Sequence, residues 1–227
     1  MKVLIITGGR IDDDFAFSFL SDKKYDEVIA VDGGLAFADR SAKRGKDVCP
    51  THLVGDFDTI DPKILEKYIH QKDICVHQYV PEKDYTDTDI AVNLALELIT
   101  NNFHGNDNCI HILGGTGTRL DHVMANMQML KRVMEAHVQG AIIDSNNYIE
   151  MIQGKRVLKR ENAFGKYMSL IPASLELNGI TLEGVKYPLE NASTCFGESL
   201  CVSNEIVADE ACIEIKEGMA WMILSRD

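Results

Sequence analysis

Two short acidic stretches have the residue types of a site that handles metal ions and phosphates. The first, GDFDTI at 55–60, follows the apolar residues HLV and holds Asp56 and Asp58 one residue apart. The second, DYTDTD at 84–89, repeats the theme with three aspartates. If the backbone stays extended, Asp56 and Asp58 point the same way, because strand side chains alternate with a period of two. Carboxylates held so close repel each other, and Mg²⁺, which prefers hard oxygen ligands, would remove that conflict.

A third stretch, GGTGTRLDH at 114–122, has the residues of an anion site. Glycines such as Gly115 let a phosphate approach the backbone, and the N-terminus of a following helix favours anions. Arg119 offers a planar fork for phosphate oxygens, and Asp121 could accept a proton or orient a hydroxyl group. The stretch matches neither the P-loop nor the dinucleotide-binding glycine pattern, so it does not by itself identify a nucleotide site.

Short aliphatic runs place these residues at the ends of predicted strands. Near-continuous apolar runs suit strands that are buried on both faces of a parallel sheet, and the helical patterns between them indicate an α/β fold with a doubly wound sheet. The carboxyl ends of such strands share one edge, where ligands bind, and Asp32 leads there into Gly33. The runs are 3–7, 27–32, 52–56, 74–79, 109–115 and 140–144.

Helical patterns between the strands carry recognisable signals. Asp61 can cap a helix that begins with Pro62, and residues 86–99 have an apolar stripe at helical spacing. Residues 121–136 also predict a long helix, whose Met124, Met127 and Leu130 side is interpreted as core.

The sequence pattern changes at about residue 145. Turn signals recur beyond it, between short pieces of β-type sequence, which predicts a small antiparallel sandwich or barrel. We therefore divide the chain into an α/β domain at 1–145 and a β domain at 146–227. The β-type pieces are 147–152, 166–172, 199–204, 211–216 and 219–225.

The composition narrows the range of partners and locations. The 227 residues include 23 Lys plus Arg against 35 Asp plus Glu, a net charge of −12, which argues against nucleic acids and anionic membranes as partners. No apolar run is long enough to span a membrane. The six cysteines form no C-x-x-C pair and no secretion signal is evident, so we expect a cytoplasmic protein with reduced thiols.

Five motifs in their order resemble the thiamin pyrophosphokinase family: VDGG (31–34), GDFDT (55–59), KDYTDTDIAVNLAL (83–96), GGTGTRLDHVMAN (114–126) and VSN (202–204). The resemblance implies an α/β nucleotide-binding domain followed by a β-sandwich. It also implies a homodimer that binds thiamin between its subunits, so that the active sites are shared. The implied reaction transfers a diphosphoryl group from ATP to the thiamin hydroxyl and releases AMP, with Mg²⁺ as cofactor.

Carried over position by position, the resemblance assigns roles to individual residues. It implies catalytic roles for Asp84, Arg119 and Asp121. The implied metal ligands are Asp56, Asp58 and Asp87; the implied ATP-binding residues are Asp32, Gly33, Thr86, Gly115 and Arg119; the implied thiamin-binding residues are Ser203, Asn204 and Trp221.

Three alternative functions remain open at this point. The stretch LVGDFDT at 53–59 also resembles the D-x-D-x-T motif of phosphatases of the haloacid-dehalogenase type, although their motif normally follows the first strand and not the third. The D-x-D itself resembles the metal-binding motif of nucleotide-sugar transferases. A non-enzymatic ligand-binding sensor would need neither the paired carboxylates nor Arg119.

Overall fold

The computed structural model describes residues 1–45, 48–80, 84–102 and 107–227. Lys83, the first residue of the 83–96 motif, lies outside these ranges. The chain divides into two compact units, Met1–Ser145 and Asn146–Asp227. No helix in the described ranges combines the length and apolar character needed to cross a membrane.

The first unit is built on a parallel sheet, which confirms the predicted α/β class. The strand order is β6-β5-β1-β2-β3-β4, and each predicted aliphatic run contributes one strand. Because the chain moves outward from β1 to β4 and then returns to the other side of β1, the order reverses between β1 and β5. The strands are β1 Lys2–Ile6, β2 Glu27–Val31, β3 His52–Gly55, β4 Cys75–Gln78, β5 Cys109–Leu113 and β6 Gln139–Ile143.

Helices connect these strands, and several of them begin at a side-chain cap. Asp61 caps its helix as predicted, since its side chain accepts a hydrogen bond from Lys63 N at 2.9 Å, with Pro62 in the first turn. Thr86 caps another by accepting from Asp89 N at 3.2 Å. The helices are α1 Asp13–Leu20, α2 Leu35–Lys43, α3 Pro62–Ile69, α4 Asp87–Asn101 and α5 Leu120–Glu135, with a 3-10 helix at Asp32–Gly34.

One helix-face prediction is only partly right. On α5 the buried residues include Met129, Leu130 and Val133, whereas Met124 is 52% exposed. Met124 lies in the second turn of α5, whereas Leu130 and Val133, further along the helix, lie beside Gly140 on β6. The interpretation of Met124 as a core residue is therefore wrong.

The second unit is an antiparallel, sandwich-like structure, as predicted. Strand β12 pairs with β7 along most of its length and has a register shift between Ile215 and Ala220. Before the shift it also pairs with β9, and after it with β8, so a single strand connects the β9 and β8 parts of this unit. The strands are β7 Asn147–Lys159, β8 Tyr167–Pro172, β9 Glu176–Glu183, β10 Leu189–Cys195, β11 Asn204–Glu205 and β12 Glu210–Ser225.

The strand boundaries in this unit differ from the sequence prediction. The two pieces at 211–216 and 219–225 are one bulged strand, and most of 199–204 is irregular. Strands β9 and β10 were not predicted, because their apolar residues, such as Leu177 and Leu182 on β9, are interrupted by glycine and polar residues. Their buried side chains nevertheless join one core with Ile213 and Met222.

Candidate active site

The acidic part of the site forms around Asp32, which follows β2. Its Oδ1 accepts a hydrogen bond from Phe57 N at 3.2 Å, which ties the end of β2 to the end of β3. The carboxylate lies against the Cα of Gly55, where any Cβ would overlap it, and Gly55 has φ +149°. Gly55 is therefore required by the close approach of Asp32 as well as by its own backbone conformation.

The carboxyl group of Asp32 interacts with those of Asp87 and Asp56. Burial, together with the charge of the neighbouring Asp87, raises the pKa of Asp32 to about 7, and Asp56 adds to the effect. Asp87 is the first residue of α4, and its side chain is within hydrogen-bonding contact of Asp32. Like charges held together in this way create a strong local preference for a cation.

Asp58 does not occupy the position expected of it. The extended backbone assumed for residues 56–58 is wrong, because Phe57 has φ +63° and the chain turns directly after β3. The Phe57 ring is buried, whereas Asp58 is exposed on the turn. Its backbone N–H donates to Asp56 Oδ1 at 3.1 Å, so Asp58 orients Asp56 through the main chain.

A glycine-rich rim lies beside the acidic part, where the strand order reverses. It joins the end of β1, Thr7–Gly9, to the β5–α5 loop that contains Gly114 and Gly115. A Cβ at Gly9 would overlap the carbonyl oxygen of Gly114, so the two loops can approach only through glycine. The buried Asn126 side chain donates to the Gly115 carbonyl at 2.9 Å and holds the loop in place.

Both parts line one cleft with a volume of about 690 Å³, within the range of small-molecule sites. Thr7, Gly8 and Gly9 were not among the predicted site residues, although a glycine pair after the first strand is the same signal that identified Gly33. Of the predicted site residues, the cleft is lined by Asp32, Gly33, Asp56, Asp84, Thr86, Asp87, Gly115 and Arg119; Asp58 and Asp121 are not among its lining residues.

Arg119 and Asp121 bind each other at the mouth of the cleft. The guanidinium Nη2 donates to Asp121 Oδ2 at 2.6 Å, and Nε donates to Oδ1 at 3.2 Å. The hydrogen bond from Arg119 lowers the pKa of Asp121 to about 2, so the carboxylate is a weak proton acceptor while the pair is closed. Both side chains are about two-thirds exposed, so the pair can open at little cost.

The three residues predicted to contact thiamin lie in the second unit. Ser203 is exposed and has φ +60°. Asn204 is buried, and its side chain accepts from Tyr187 N at 3.0 Å and donates to Tyr187 O at 2.9 Å. Trp221 lies on β12 and is 8% exposed. Asn204 thus positions the exposed Tyr187. Little of the Trp221 ring is accessible to a ligand.

The carboxylate cluster fits Mg²⁺ only as a partial ligand set. Within the described ranges, no three His, Cys, Asp or Glu side chains converge as a preformed metal site. Mg²⁺ usually binds through one or two carboxylates and completes its octahedron with waters and substrate phosphates. The proximity of Asp56 and Asp87 to Asp32 and to the glycine rim matches that mode of binding.

Sequence profiles of two domain families match the chain. The profile described as "Thiamin pyrophosphokinase, catalytic domain" matches residues 19–142, and that described as "Thiamin pyrophosphokinase, vitamin B1 binding domain" matches residues 155–220. The first of these covers more than half of the chain and contains most of the cleft.

Individual relatives agree with these profiles. Thiamine pyrophosphokinase of Bacillus subtilis is 33% identical over 180 residues, which cover 79% of this chain and 80% of the relative. Thiamin pyrophosphokinase 1 of Caenorhabditis elegans is 26% identical over 86% of this chain and 77% of its own length. The crystal structure of the Bacillus subtilis enzyme superimposes over 100% of both chains with a TM-score of 0.83 at 29% identity. Thiamin pyrophosphokinase from Candida albicans, 20% identical with a TM-score of 0.80 over 99% of this chain and 89% of its own, shares the fold.

Proposed function

Because the chain belongs to the thiamin pyrophosphokinase family, we propose that its cleft transfers a diphosphoryl group from ATP to the hydroxyl of thiamin, giving thiamin diphosphate and AMP. The family match gives no support to the phosphatase, sugar-transferase or sensor alternatives. The finer assignments below, of metal, residues and assembly, are part of this proposal.

The proposal rests on one observation: the same cleft contains a region suited to anions and a region of negative charge. The glycine rim of Gly9 and Gly115 presents backbone to an anion, whereas Asp32, Asp56 and Asp87 present negative charge beside it. Phosphates alone would be repelled by the carboxylates, and a metal ion alone would not need the rim. A magnesium–nucleotide complex would satisfy both environments, because the carboxylates would hold the metal and the glycine rim would accept the phosphates.

We assign Asp56 and Asp87 as direct metal ligands and Asp58 as the residue that orients Asp56 and adds charge from the turn. When bound, Mg²⁺ supplies charge neutralisation and a template for the phosphate oxygens. Asp32 supports the cluster from its more buried position after β2. Gly33 and Thr86, which line the same cleft, complete the nucleotide contacts.

The reaction forms a bond between the thiamin hydroxyl oxygen and the β-phosphorus of ATP. The bond from that phosphorus to the oxygen that bridges to the α-phosphorus breaks, and AMP leaves with the bridging oxygen. The hydroxyl proton passes to a carboxylate, for which Asp84 on the cleft and Asp121 at its mouth are the candidates. Arg119, once released from Asp121, stabilises charge on the phosphate oxygens.

For thiamin we propose a site to which the second unit contributes. Ser203 and Trp221 would lie near the ligand, and Asn204 would fix the backbone of Tyr187 beside them. The match of residues 155–220 to the vitamin B1 binding profile supports this assignment. We further propose a homodimer whose sites combine residues of both subunits.

We also propose a cytoplasmic location. The six cysteines are unpaired, which agrees with a reducing compartment.

The direct test is to incubate the purified protein with ATP, Mg²⁺ and thiamin and to identify the products. We expect thiamin diphosphate and AMP in equal amounts, and loss of the activity when a chelator removes the metal. Formation of ADP and thiamin monophosphate would instead show single phosphoryl transfer and overturn the proposal.

A matched pair of variants tests the metal assignment. Asp56→Asn should reduce turnover on the order of 100-fold or more, because it removes a charged ligand for the metal and keeps the shape. Asp61→Asn, five residues later, should leave turnover unchanged, because Asp61 caps α3 outside the cleft and Asn caps equally well. Equal activity of both variants would remove Asp56 from the site.

A further inference from the structure

Tyr85 is an exposed aromatic residue on the wall of the cleft. Its side chain is 63% exposed, and among the exposed large apolar side chains of the described ranges it alone lines the cleft. Tyr79, Leu120 and Met124 are exposed as well, but they lie outside the lining. A single exposed aromatic residue needs no explanation on an ordinary surface, whereas one that faces a substrate cleft has a potential ligand in front of it.

The backbone holds Tyr85 in place while its ring stays available. Thr86, the next residue, caps α4 through its hydrogen bond with Asp89 N, so the chain is anchored directly after Tyr85. Within the part of the chain that the structure describes, the Tyr85 side chain has no hydrogen-bond, ring or cation partner. Because the Tyr85 backbone is already fixed and its ring has no other partner among the described residues, a ligand can bind the ring with little further loss of conformational freedom.

The surroundings of the ring select the charge of its ligand. Asp84 precedes Tyr85 in the chain, Asp87 begins the helix two residues later, and both line the cleft. The glycine rim, which suits phosphates, lies instead at the ends of β1 and β5. An aromatic face among carboxylates favours a flat cation, which gains from the ring quadrupole and from the negative charge together. A neutral purine would gain only from stacking.

We propose that the Tyr85 ring stacks on the cationic thiazolium of thiamin and so helps to select this substrate. The inference rests on the proposed function and adds to it a residue of the first unit that recognises the thiamin ring. It also supplies an open aromatic face, which Trp221, at 8% exposed, does not.

The test compares Tyr85→Leu, Tyr85→Phe and the wild-type enzyme in steady-state kinetics with each substrate varied in turn. We expect Tyr85→Leu to raise the KM for thiamin by about 2- to 30-fold, the range of a cation–π contact, with the KM for ATP unchanged. Tyr85→Phe keeps the ring and should stay close to wild type. For a thiamin analogue with a neutral ring in place of the thiazolium, the increase in KM caused by Tyr85→Leu should be smaller, because only the stacking contribution remains to be lost.

The control is Tyr79→Leu, which removes another exposed tyrosine after β4 that does not line the cleft and should change neither KM. An increase in the KM for ATP alone would assign the Tyr85 ring to adenine, and unchanged values for both substrates would show that it contacts neither; either result overturns the inference. If the wild-type enzyme formed no thiamin diphosphate, the proposed function itself would fail, which is a separate outcome.

Discussion

At the scale of single residues, the charged groups of this site interact with one another. Arg119 is closed onto Asp121, and Asp32 lies against Asp87 with a pKa raised by burial and by that neighbour. We expect each arrangement to change on substrate binding, because a phosphate would compete for the guanidinium and a cation would offset the charge of the carboxylates. Under the proposed function, binding and charge rearrangement would then be coupled at this cleft.

Arg119→Lys should fold normally and lose mainly kcat, on the order of 100-fold, because Lys cannot reproduce a bidentate contact with phosphate oxygens. The melting temperature should not change, since the Arg119–Asp121 pair is exposed. Steady-state kinetics with a thermal melt distinguish the two roles. A variant with normal kcat and a lowered melting temperature would assign Arg119 to the fold.

His111 should make stability depend on pH. It lies on β5, where Tyr25 Oη contacts its Nδ1 at 2.7 Å, and burial lowers its pKa from 6.5 to about 4. The unfolded chain therefore binds a proton below pH 6.5 that the folded chain excludes, so the stability is fully present above pH 6.5 and is lost as the pH falls towards 4. The loss amounts to about 3 kcal/mol.

Urea unfolding at several pH values tests this effect. His111→Gln, which keeps a hydrogen-bond acceptor for Tyr25 without a titrating ring, should flatten the profile between pH 6.5 and 4. The exposed His70→Gln should retain the wild-type slope. An identical slope in all three proteins would show that His111 is not the titrating group.

At the scale of elements, the site depends on how closely the strand ends approach one another. The ends of β1 and β5 meet through Gly9 and Gly114, and the ends of β2 and β3 meet through Asp32 and Gly55. Backbone groups rather than long side chains bridge these gaps, so the loops can surround a phosphate closely. The element boundaries, not just the residue types, thus shape the cleft.

Gly9→Ala should destabilise the protein by about 1–3 kcal/mol and reduce activity, because its Cβ would overlap the Gly114 carbonyl and push β1 and β5 apart. Gly8→Ala is the matched control for stability, since the nearest atom to its added Cβ is Gly33 N at 3.5 Å, an ordinary contact. Urea unfolding and activity assays on both variants test the argument. Equal stability of the two would mean that the loops are not in tight contact.

At the scale of the whole molecule, both compact units contribute residues to the proposed reaction. The first unit carries the cleft and its charge, and the second carries Ser203, Asn204 and Trp221. A net charge of −12 favours the approach of cationic thiamin, although salt screens this attraction beyond about 8 Å. If the protein is a dimer with shared sites, a variant of the first unit in one chain can be complemented by a variant of the second unit in the other chain.

Mixing two inactive chains should restore activity if the sites are shared. Asp87→Asn disables the cleft, and Ser203→Arg adds bulk and positive charge to an exposed position of the second unit. Random pairing makes half of the dimers mixed, and each mixed dimer has one intact site, so about a quarter of the wild-type activity should return. No recovery in verified heterodimers would place each complete site within one subunit.

Much of the fold could be predicted from local patterns. The six apolar runs became the six parallel strands, and Asp61–Pro62 and Thr86 begin helices as their chemistry requires. The sequence pattern changes from α/β-type to β-type at about residue 145, and the two compact units meet in the chain at Ser145 and Asn146. Because carboxyl ends of parallel strands share an edge, the sequence also predicted that Asp32, Asp56 and Gly115 would meet.

Tertiary structure alone decided the finer geometry of the site. Phe57 combines a positive φ, after which Asp58 lies outside the cleft lining, with a buried ring. Asp32 meets Asp87 because α4 packs back across the sheet. Local propensity does not encode such contacts, since they join residues far apart in the chain. For the same reason the sequence could name Trp221 and Tyr85 as aromatic residues, but only packing determined that the first is buried and the second faces the cleft.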